Sequence, residues 1–376
     1  MKTVFVQNLI SPYRAHFFNS LDRVDNNFGV YYLSRTEKDR NWDLSKIPIE
    51  HNCWIDKYGI YFMVKGFHIH INPVLILKIL FSRSIKNVIL CVSYCDISIL
   101  ALVLAKKLHL TNKRYFFWAE ANYLTNGARK ETAFKKWLRK FVFNSIDGGM
   151  IVPGLMAETT FRIWGFDINH FIHLPNTIND NALVFDANCD LRENNEQPVF
   201  LLPIRIIESL KGALNFFDAI GSDNVFRAKF IIAGDGEDKQ MYQKYIVDNQ
   251  YTEHIVLAGF CDESKMNLLY NSSDVLLLPS FSDPSPLTLV EGLKFHMPIL
   301  CSEHCGNHYE AVEPGHNGYT FSPLDKNDIR NKFELLMRRR NDWKEMGEHS
   351  ASIYMGKFET DTVVRNFLQQ FKKVAM

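Results

Sequence analysis

The sequence predicts an α/β protein of two domains, each built on a parallel sheet, with functional residues in the cleft between them. Three observations predict it. The chain has 376 residues, more than one compact core usually holds. Short β-branched or aromatic runs alternate with helical patterns, as in βαβ units. That alternation stops in an Asn- and Asp-rich stretch, Asn176–Gln197, and then restarts.

Along the chain, the strands expected in the first unit are Thr3–Val6, Gly29–Leu33, Asn87–Val92, Arg114–Trp118, Gly148–Val152 and His170–Leu174. Arg14–Leu21 and Ile97–Leu108 read as helices between them. The second unit offers Val199–Leu202, Lys229–Ala233, His254–Leu257, Val275–Leu278 and Pro298–Leu300 as strands. Thr362–Lys373 reads as a closing amphipathic helix.

Composition narrows the classes. Apolar residues make up 47%, enough for a core in each half. A net charge of +1 implies no general polyanion-binding field and excludes nucleic acid as the main partner. The seven cysteines are odd in number, form no C-x-x-C, and lie partly in apolar runs such as Leu90-Cys91-Val92. They read as free thiols of a reducing compartment. Cys301, His304, Cys305 and His308 lie close together, but their spacing follows no recognised zinc pattern, so no metal site is expected. The chain enters a strand at Thr3 without the basic start and apolar stretch of a signal peptide. The apolar runs Val74–Phe81 and Ile97–Ala105 are too short to cross a bilayer. The expected location is cytoplasmic.

In open parallel sheets, ligands bind beyond the carboxyl ends of the strands. The most informative such end runs from Leu278-Pro279-Ser280 through Asp283-Pro284-Ser285-Pro286-Leu287 to Glu291-Gly292. Ser285 is placed to cap a helix, with Pro286 at its first position. A helix start of this kind offers free N–H groups to a diphosphate or a sugar oxygen. Glu291, nearly two turns on, can accept two hydrogen bonds, as a ribose diol requires. An ordinary strand–loop–helix connection with surface acids fits the same residues.

This segment resembles the signature of the retaining family 4 glycosyltransferases of the GT-B fold: Pro-Ser, an acid, seven intervening residues, then Glu. Asp283 and Glu291 stand at that spacing, with Asp283 one methylene shorter than the family's usual Glu. Other stretches resemble the family in order. Val199–Arg205 followed by Lys211-Gly212 is similar to its strand, Arg and Lys-Gly element, although Pro203-Ile204 replaces a Gly and the Arg-to-Lys interval is one residue longer. Phe230–Glu237 resembles its next strand and glycine turn, and Ile255–Phe260 the strand edge that contacts the base. Cys305-Gly306-Asn307 and Asn317-Gly318-Tyr319 stand at its later glycine turns, and Leu174-Pro175-Asn176 at its interdomain Pro-Asn. The N-terminal half resembles it more loosely. The paired glycines expected near Ser11–Arg14 are missing, and no His stands near Glu120.

The resemblance implies an α/β fold of the GT-B type, two Rossmann-like domains with parallel sheets facing a central cleft. Residues 1–175 would bind the acceptor, 176–197 link, 198–355 bind the nucleotide sugar, and 356–376 form a helix returning to the first domain. It implies that Arg205 and Lys211 bind the donor diphosphate, Asp283 the sugar and its oxocarbenium-like centre, Glu291 the ribose, Ser285–Leu287 the phosphate, and Val256 and Phe260 the base. Tyr13, Arg14 and Glu120 would contact the acceptor; Glu120 also fits a helix-capping acid. The expected donor is a UDP- or GDP-linked hexose or N-acetylhexosamine, without a separate cofactor. The expected acceptor is a glycan or lipid-linked glycan. Phe134–Phe141, basic and aromatic at helical spacing, would rest on an anionic membrane; an apolar inner face with a basic outer one fits it as well. A sugar-nucleotide epimerase or phosphorylase of the same fold, or a non-catalytic binding relative, are the alternatives.

Overall fold

A computed structural model describes residues 2–37, 47–64, 67–126, 132–166, 170–186 and 196–375. The part of the expected linker from 187 to 195, with Cys189, lies outside the described residues.

The first sheet contains β1 (Thr3–Gln7), β2 (Phe28–Tyr32), β3 (Cys53–Ile55), β6 (Asn87–Leu90), β7 (Arg114–Trp118), β8 (Gly149–Val152) and β9 (Phe171–His173). β4 (Ile60–Val64) and β5 (Phe67–Ile71) form a separate antiparallel hairpin. The spatial order of the sheet is β3-β2-β1-β6-β7-β8-β9, all parallel. The second sheet contains β10 (Val199–Pro203), β11 (Lys229–Ala233), β12 (Ile255–Gly259), β13 (Val275–Leu278), β14 (Ile299–Ser302) and β15 (Gly318–Phe321). Its order is β12-β11-β10-β13-β14-β15, again all parallel. Each sheet therefore reverses its winding at one place, between β1 and β6 and between β10 and β13. Crevices at such switch points are where open α/β sheets bind ligands.

In the first unit the helices are α1 (Pro12–Val24), α2 (Pro73–Phe81), α3 (Ile97–Lys107), α4 (Tyr123–Asn126), α5 (Ala133–Phe143) and α6 (Leu155–Ile163). In the second they are α7 (Glu208–Lys211), α8 (Ala213–Ile220), α9 (Ser222–Val225), α10 (Lys239–Asp248), α11 (Glu263–Ser272), α12 (Leu287–Lys294), α13 (His308–Ala311), α14 (Lys326–Arg338) and α15 (Trp343–Ile353). The chain then closes with α16 (Thr360–Ala375).

α2, α3, α5 and α6 cover one face of the first sheet through Leu75, Leu102, Val142 and Phe161. α1 covers the other face, and α16 returns to join it there. Val364, Phe367 and Phe371 of α16 are buried among Phe5, Phe17 and Phe28. Each such side chain, fully buried, contributes about 1.5–3 kcal/mol. The crossing back falls after Phe358, which is still part of the second core. Ile178 and Leu183 are also buried in that core, so the front of the expected linker is anchored rather than free.

Candidate active site

At the switch point of the second sheet, β10 delivers Arg205 and Lys211, and β13 delivers the loop from Pro279 to Pro286. Glu208 fixes the first of these. Its carboxylate accepts the backbone N–H groups of Leu214 and Asn215, both at 3.1 Å, and the Tyr242 hydroxyl at 2.6 Å. The Lys211-Gly212 turn is thereby locked between α7 and α8. Gly212 has φ 61°, and a Cβ there would meet the Phe281 ring and the Pro279 carbonyl at 2.9 Å. Only glycine lets the second loop lie directly on this turn. Ser282 N then donates to Leu210 O at 3.0 Å. The outcome is a direct ion pair between the Lys211 ammonium and the Asp283 carboxylate, both mostly buried. Arg205, by contrast, is exposed just past β10, and its guanidinium has no partner among the described residues.

A second contact holds Asp283 from the other side. Gly306 N donates to Asp283 O at 2.8 Å, and a Cβ on Gly306 would lie 2.0 Å from the Pro284 carbonyl. The Asn307 amide closes the loop on Pro286 O at 3.0 Å. The Cys305-Gly306-Asn307 turn thus seats the acid loop. Its thiols are inward: Cys301 and Cys305 are fully buried, and their mutual hydrogen bond, followed by burial, pushes the Cys305 thiol well above its ordinary value. The rings of His304 and His308 are spent on backbone, with Nδ1 contacting Phe281 O and Cys305 O, each at 2.8 Å.

The cap assignment needs correction. α12 begins at Leu287, with Pro286 in the capping position and no side-chain cap. Ser285 is not the cap; it is buried, and its Oγ accepts the Asn176 amide at 3.1 Å. Glu291 lies on α12 with one carboxylate oxygen taken by the Tyr270 hydroxyl. Burial raises the Glu291 carboxyl above its usual range, against the opposing pull of that hydroxyl. Val256 and Phe260 sit on and just after the edge strand β12, and Phe260 is 80% exposed. The Gly234-Asp235-Gly236 turn folds over the end of β10, where Ile206 N donates to Asp235 O at 3.0 Å.

On the facing unit, the switch point between β1 and β6 holds a cavity of about 390 Å³, lined by Tyr13, Arg14, Tyr94, Trp118, Glu120 and Trp164 among others. Arg14 is nearly buried, its guanidinium 3.5 Å from the centre of the Trp118 ring and its Nη2 3.6 Å from Glu120 Oε1. A cation over an indole face and beside a carboxylate is held by both. Glu120 Oε1 in turn accepts the Asn176 Nδ2 donor at 2.8 Å, the same nitrogen that reaches Ser285. Glu120 is therefore an inter-unit hydrogen-bond acceptor and caps no helix. A larger cavity, about 440 Å³, lies by Gly315, Arg339 and His349 and includes none of the expected residues.

Two bridges thus bring the halves together beside Asp283. One runs Arg14–Glu120–Asn176–Ser285. In the other, His304 O accepts the Asn122 amide at 3.0 Å from the first unit and Asp283 N at 3.4 Å from the second. Asn122 and Tyr270 were not among the expected site residues. Asn122 carries a weak local signal, two residues beyond the acid that ends β7. Tyr270 carries none, because it reaches Glu291 from a different helix.

Over 99% of its length the chain has the fold of a protein from Anabaena, HepE, solved with UDP and glucose (TM-score 0.71, 14% identity, 100% of that chain covered). It is equally similar to the lipopolysaccharide outer core galactosyltransferase WaaB in its apo form (TM-score 0.73, 16% identity, 99% covered). The architecture is GT-B. Residues 189–352 match the family of glycosyl transferases group 1. An alpha-monoglucosyldiacylglycerol synthase of Acholeplasma laidlawii is 34% identical over 96 residues, 25% of this chain and 24% of that protein. An alpha-1,4-N-acetyl-D-galactosaminyltransferase of Campylobacter jejuni, named for an undecaprenol-linked substrate, is 25% identical over 195 residues, 52% of this chain and 49% of that protein. The chain spans between about a quarter and a half of the length of the curated relatives it matches.

Proposed function

We propose that the protein is a glycosyltransferase that moves a hexose or N-acetylhexosamine from a UDP- or GDP-linked donor to a glycan or lipid-linked glycan, with retention of configuration. The observation that carries this reading is the Lys211–Asp283 pair at the switch point, bracketed by two bridges to the facing unit. In the free protein each charge satisfies the other. A donor inserted here exchanges that contact for two of its own: the diphosphate takes Lys211, and the sugar hydroxyls take Asp283. Arg205, exposed and unpaired, adds a second cation for the leaving group. Negative charge grows on the diphosphate as the glycosidic bond breaks, and cations fixed beforehand stabilise it without reorganisation. Asp283 faces the sugar as its anomeric centre becomes positive.

Glu291 holds the ribose with the oxygen that Tyr270 leaves free. Phe260 supplies an exposed ring for the base. On the acceptor side Glu120 orients the attacking hydroxyl from the rim of the aromatic cavity, and Arg14 and Tyr13 hold the ring behind it. The acceptor hydroxyl attacks from the face the diphosphate leaves, and its proton passes to the departing phosphate oxygen. This reading places the work at the cytoplasmic face of a membrane, in the assembly of a surface polysaccharide, with α5 against the lipid.

Incubation with a panel of nucleotide sugars and acceptors, followed by proton NMR of the product, tests the proposal. Nucleoside diphosphate released only with acceptor present, and a product with the donor's anomeric configuration, is the expected result. An inverted product contradicts retention. Turnover of donor to a new sugar nucleotide without acceptor identifies an epimerase instead.

A further inference from the structure

The net charge of +1 hides a division. Residues 1–175 carry 23 Lys and Arg against 13 Asp and Glu, whereas the other 201 residues carry 20 against 29. Within the first unit the bias concentrates further. From Lys57 to Ala119 there are nine Lys and Arg and a single acid, Asp96, which is buried beneath His70.

The same stretch builds an unusually apolar outer surface. α2 reads Pro-Val-Leu-Ile-Leu-Lys-Ile-Leu-Phe, yet only Leu75 and Ile79 are buried. Leu77 is half exposed and Phe81 is 79% exposed. Its neighbour α3 leaves Leu104 and, just past its end, Leu108 open to solvent. The Lys107 ammonium of α3 lies 4.6 Å from the Phe141 ring of α5, so α5 continues the surface. Phe141 stacks on Trp137 at 5.6 Å and Trp137 on Phe134 at 5.9 Å. Phe134 and Trp137 are both more than half exposed. These neighbouring helices thus carry exposed apolar side chains interspersed with the exposed cations Lys78, Arg83, Lys107, Lys136 and Lys140.

We infer that the outer face of the α2–α3–α5 layer docks on an anionic lipid surface. The inference rests on the membrane reading of α5 given above and extends it to α2 and α3, which form the larger share of the face. Lysine distinguishes lipid from protein as the occupant. Protein interfaces are depleted in Lys, because its charge is costly to desolvate. At a bilayer, Lys stems lie along the apolar boundary while the ammonium groups reach anionic headgroups, and Trp and Phe settle at the interface. Acids are few here, and Asp147, at the edge of the face, is neutralised by Lys106 at 2.6 Å, so headgroups meet little repulsion. The excess of acid in the second unit turns that unit away from the same surface. The placement also serves the acceptor: Ser93 and Tyr94, which line the 390 Å³ cavity, lead directly into the start of α3.

The test is co-sedimentation of the full chain with phosphatidylcholine vesicles, with and without phosphatidylglycerol. Binding should require phosphatidylglycerol and weaken as salt rises. Leu77→Glu with Phe81→Glu, and separately Lys107→Glu with Lys136→Glu, should each lower binding by about tenfold or more. Leu77, Phe81, Lys107 and Lys136 are all exposed, and unchanged nucleoside diphosphate affinity checks that the variants are folded. Equal binding to both vesicles, no binding, or full binding by the α2 variant overturns the inference. So does concentration-dependent dimerisation that the α2 variant abolishes, which would assign the face to a second copy. Transfer to a soluble acceptor separates the two proposals: vesicle binding without transfer removes the transferase reading, and transfer without vesicle binding removes this one.

Discussion

The two sheets share one strand order and one switch-point geometry, but their binding loops are built from different materials. In the second unit the loops meet backbone to backbone, braced by the Glu208 and Asn307 side chains. Gly212 and Gly306 admit close approaches that no side chain tolerates, and the ion pair they position, Lys211–Asp283, is a matter of a few atoms. In the first unit the loops are held by side chains: Arg14 on Trp118, Glu120 on Asn176, and an aromatic cavity behind them. On the proposed reading the second unit takes the diphosphate, which is the same in every nucleotide sugar, so a backbone-built cradle would serve any of them. An acceptor differs from one pathway to another, and side chains can be exchanged without refolding a turn. The family match covers only the first kind of construction, residues 189–352.

The sharpest way to break this contrast is to remove the cations. Lys211→Ala should cut turnover by about a hundredfold or more with every acceptor, because the leaving diphosphate is common to all. Arg205→Ala should do the same without any loss of thermal stability, since the exposed Arg205 guanidinium has no partner among the described residues. Near-normal steady-state rates for both variants would remove the diphosphate assignment.

The next effect is on affinity alone. Glu291→Gln should weaken free nucleoside diphosphate by about tenfold, the usual cost of one hydrogen bond to a charged group. Titration calorimetry with the diphosphate measures it directly, and unchanged affinity would leave Glu291 as a partner of Tyr270 only.

These two expectations rest on residues that could be read from the chain, and the reason is local. β10 and β13 are buried throughout and β11 for the most part, so they appear as unbroken apolar runs such as Phe230–Ala233. The Lys-Gly turn and the acid loop each lie within a few residues of a strand end. What could not be read is what depends on partners far away in sequence. Ser285 follows the composition of a cap, but Asn176 reaches it from 109 residues upstream, and the helix starts at Leu287. β3 is three half-buried residues, Cys53–Ile55, too short for any alternation to show. In the β4–β5 hairpin β5 does alternate, Phe-His-Ile-His-Ile, but β4, Ile-Tyr-Phe-Met-Val, shows no period of two. The charge division between the units is visible in the sequence but vanishes in the sum.

On the acceptor side the expected effects are smaller and differently distributed. Glu120→Gln keeps the hydrogen bond to Asn176 but loses the charge beside Arg14. It should raise the acceptor KM several-fold and leave nucleoside diphosphate affinity unchanged. A fall in donor affinity instead would mean that the two units do not divide the work.

The smallest effect concerns stability in the first unit. Burial alone would lower the His70 pKa, but the hydrogen bonds its ring donates to the Asp96 and Glu37 carboxylates outweigh it and raise the value to about 9. Glu37 also faces His68 at 3.4 Å and Asn8 at 2.9 Å. The protonated ring therefore stabilises the fold fully below its ordinary value of 6.5, and that contribution disappears as pH rises through about 9. The melting temperature should fall across this window, and His70→Gln should flatten the slope. The donor-site variants should keep it.

The central claim is that Asp283, shorter than the usual acid, is fitted to the sugar of the donor by the loop that Gly212 and Gly306 hold. Pro284 and Pro286 stiffen that loop, so it cannot swing to compensate for a change of length. The direct measurement is kcat and donor affinity, side by side, for Asp283→Asn and Asp283→Glu with the preferred sugar nucleotide. The account predicts that Asp283→Asn loses about a hundredfold in kcat with little change in affinity, since the charge matters most as the sugar centre turns positive. It predicts that Asp283→Glu also loses activity, because the added methylene crowds a fitted site. A normal kcat for Asp283→Asn, or a faster Asp283→Glu enzyme, would contradict it.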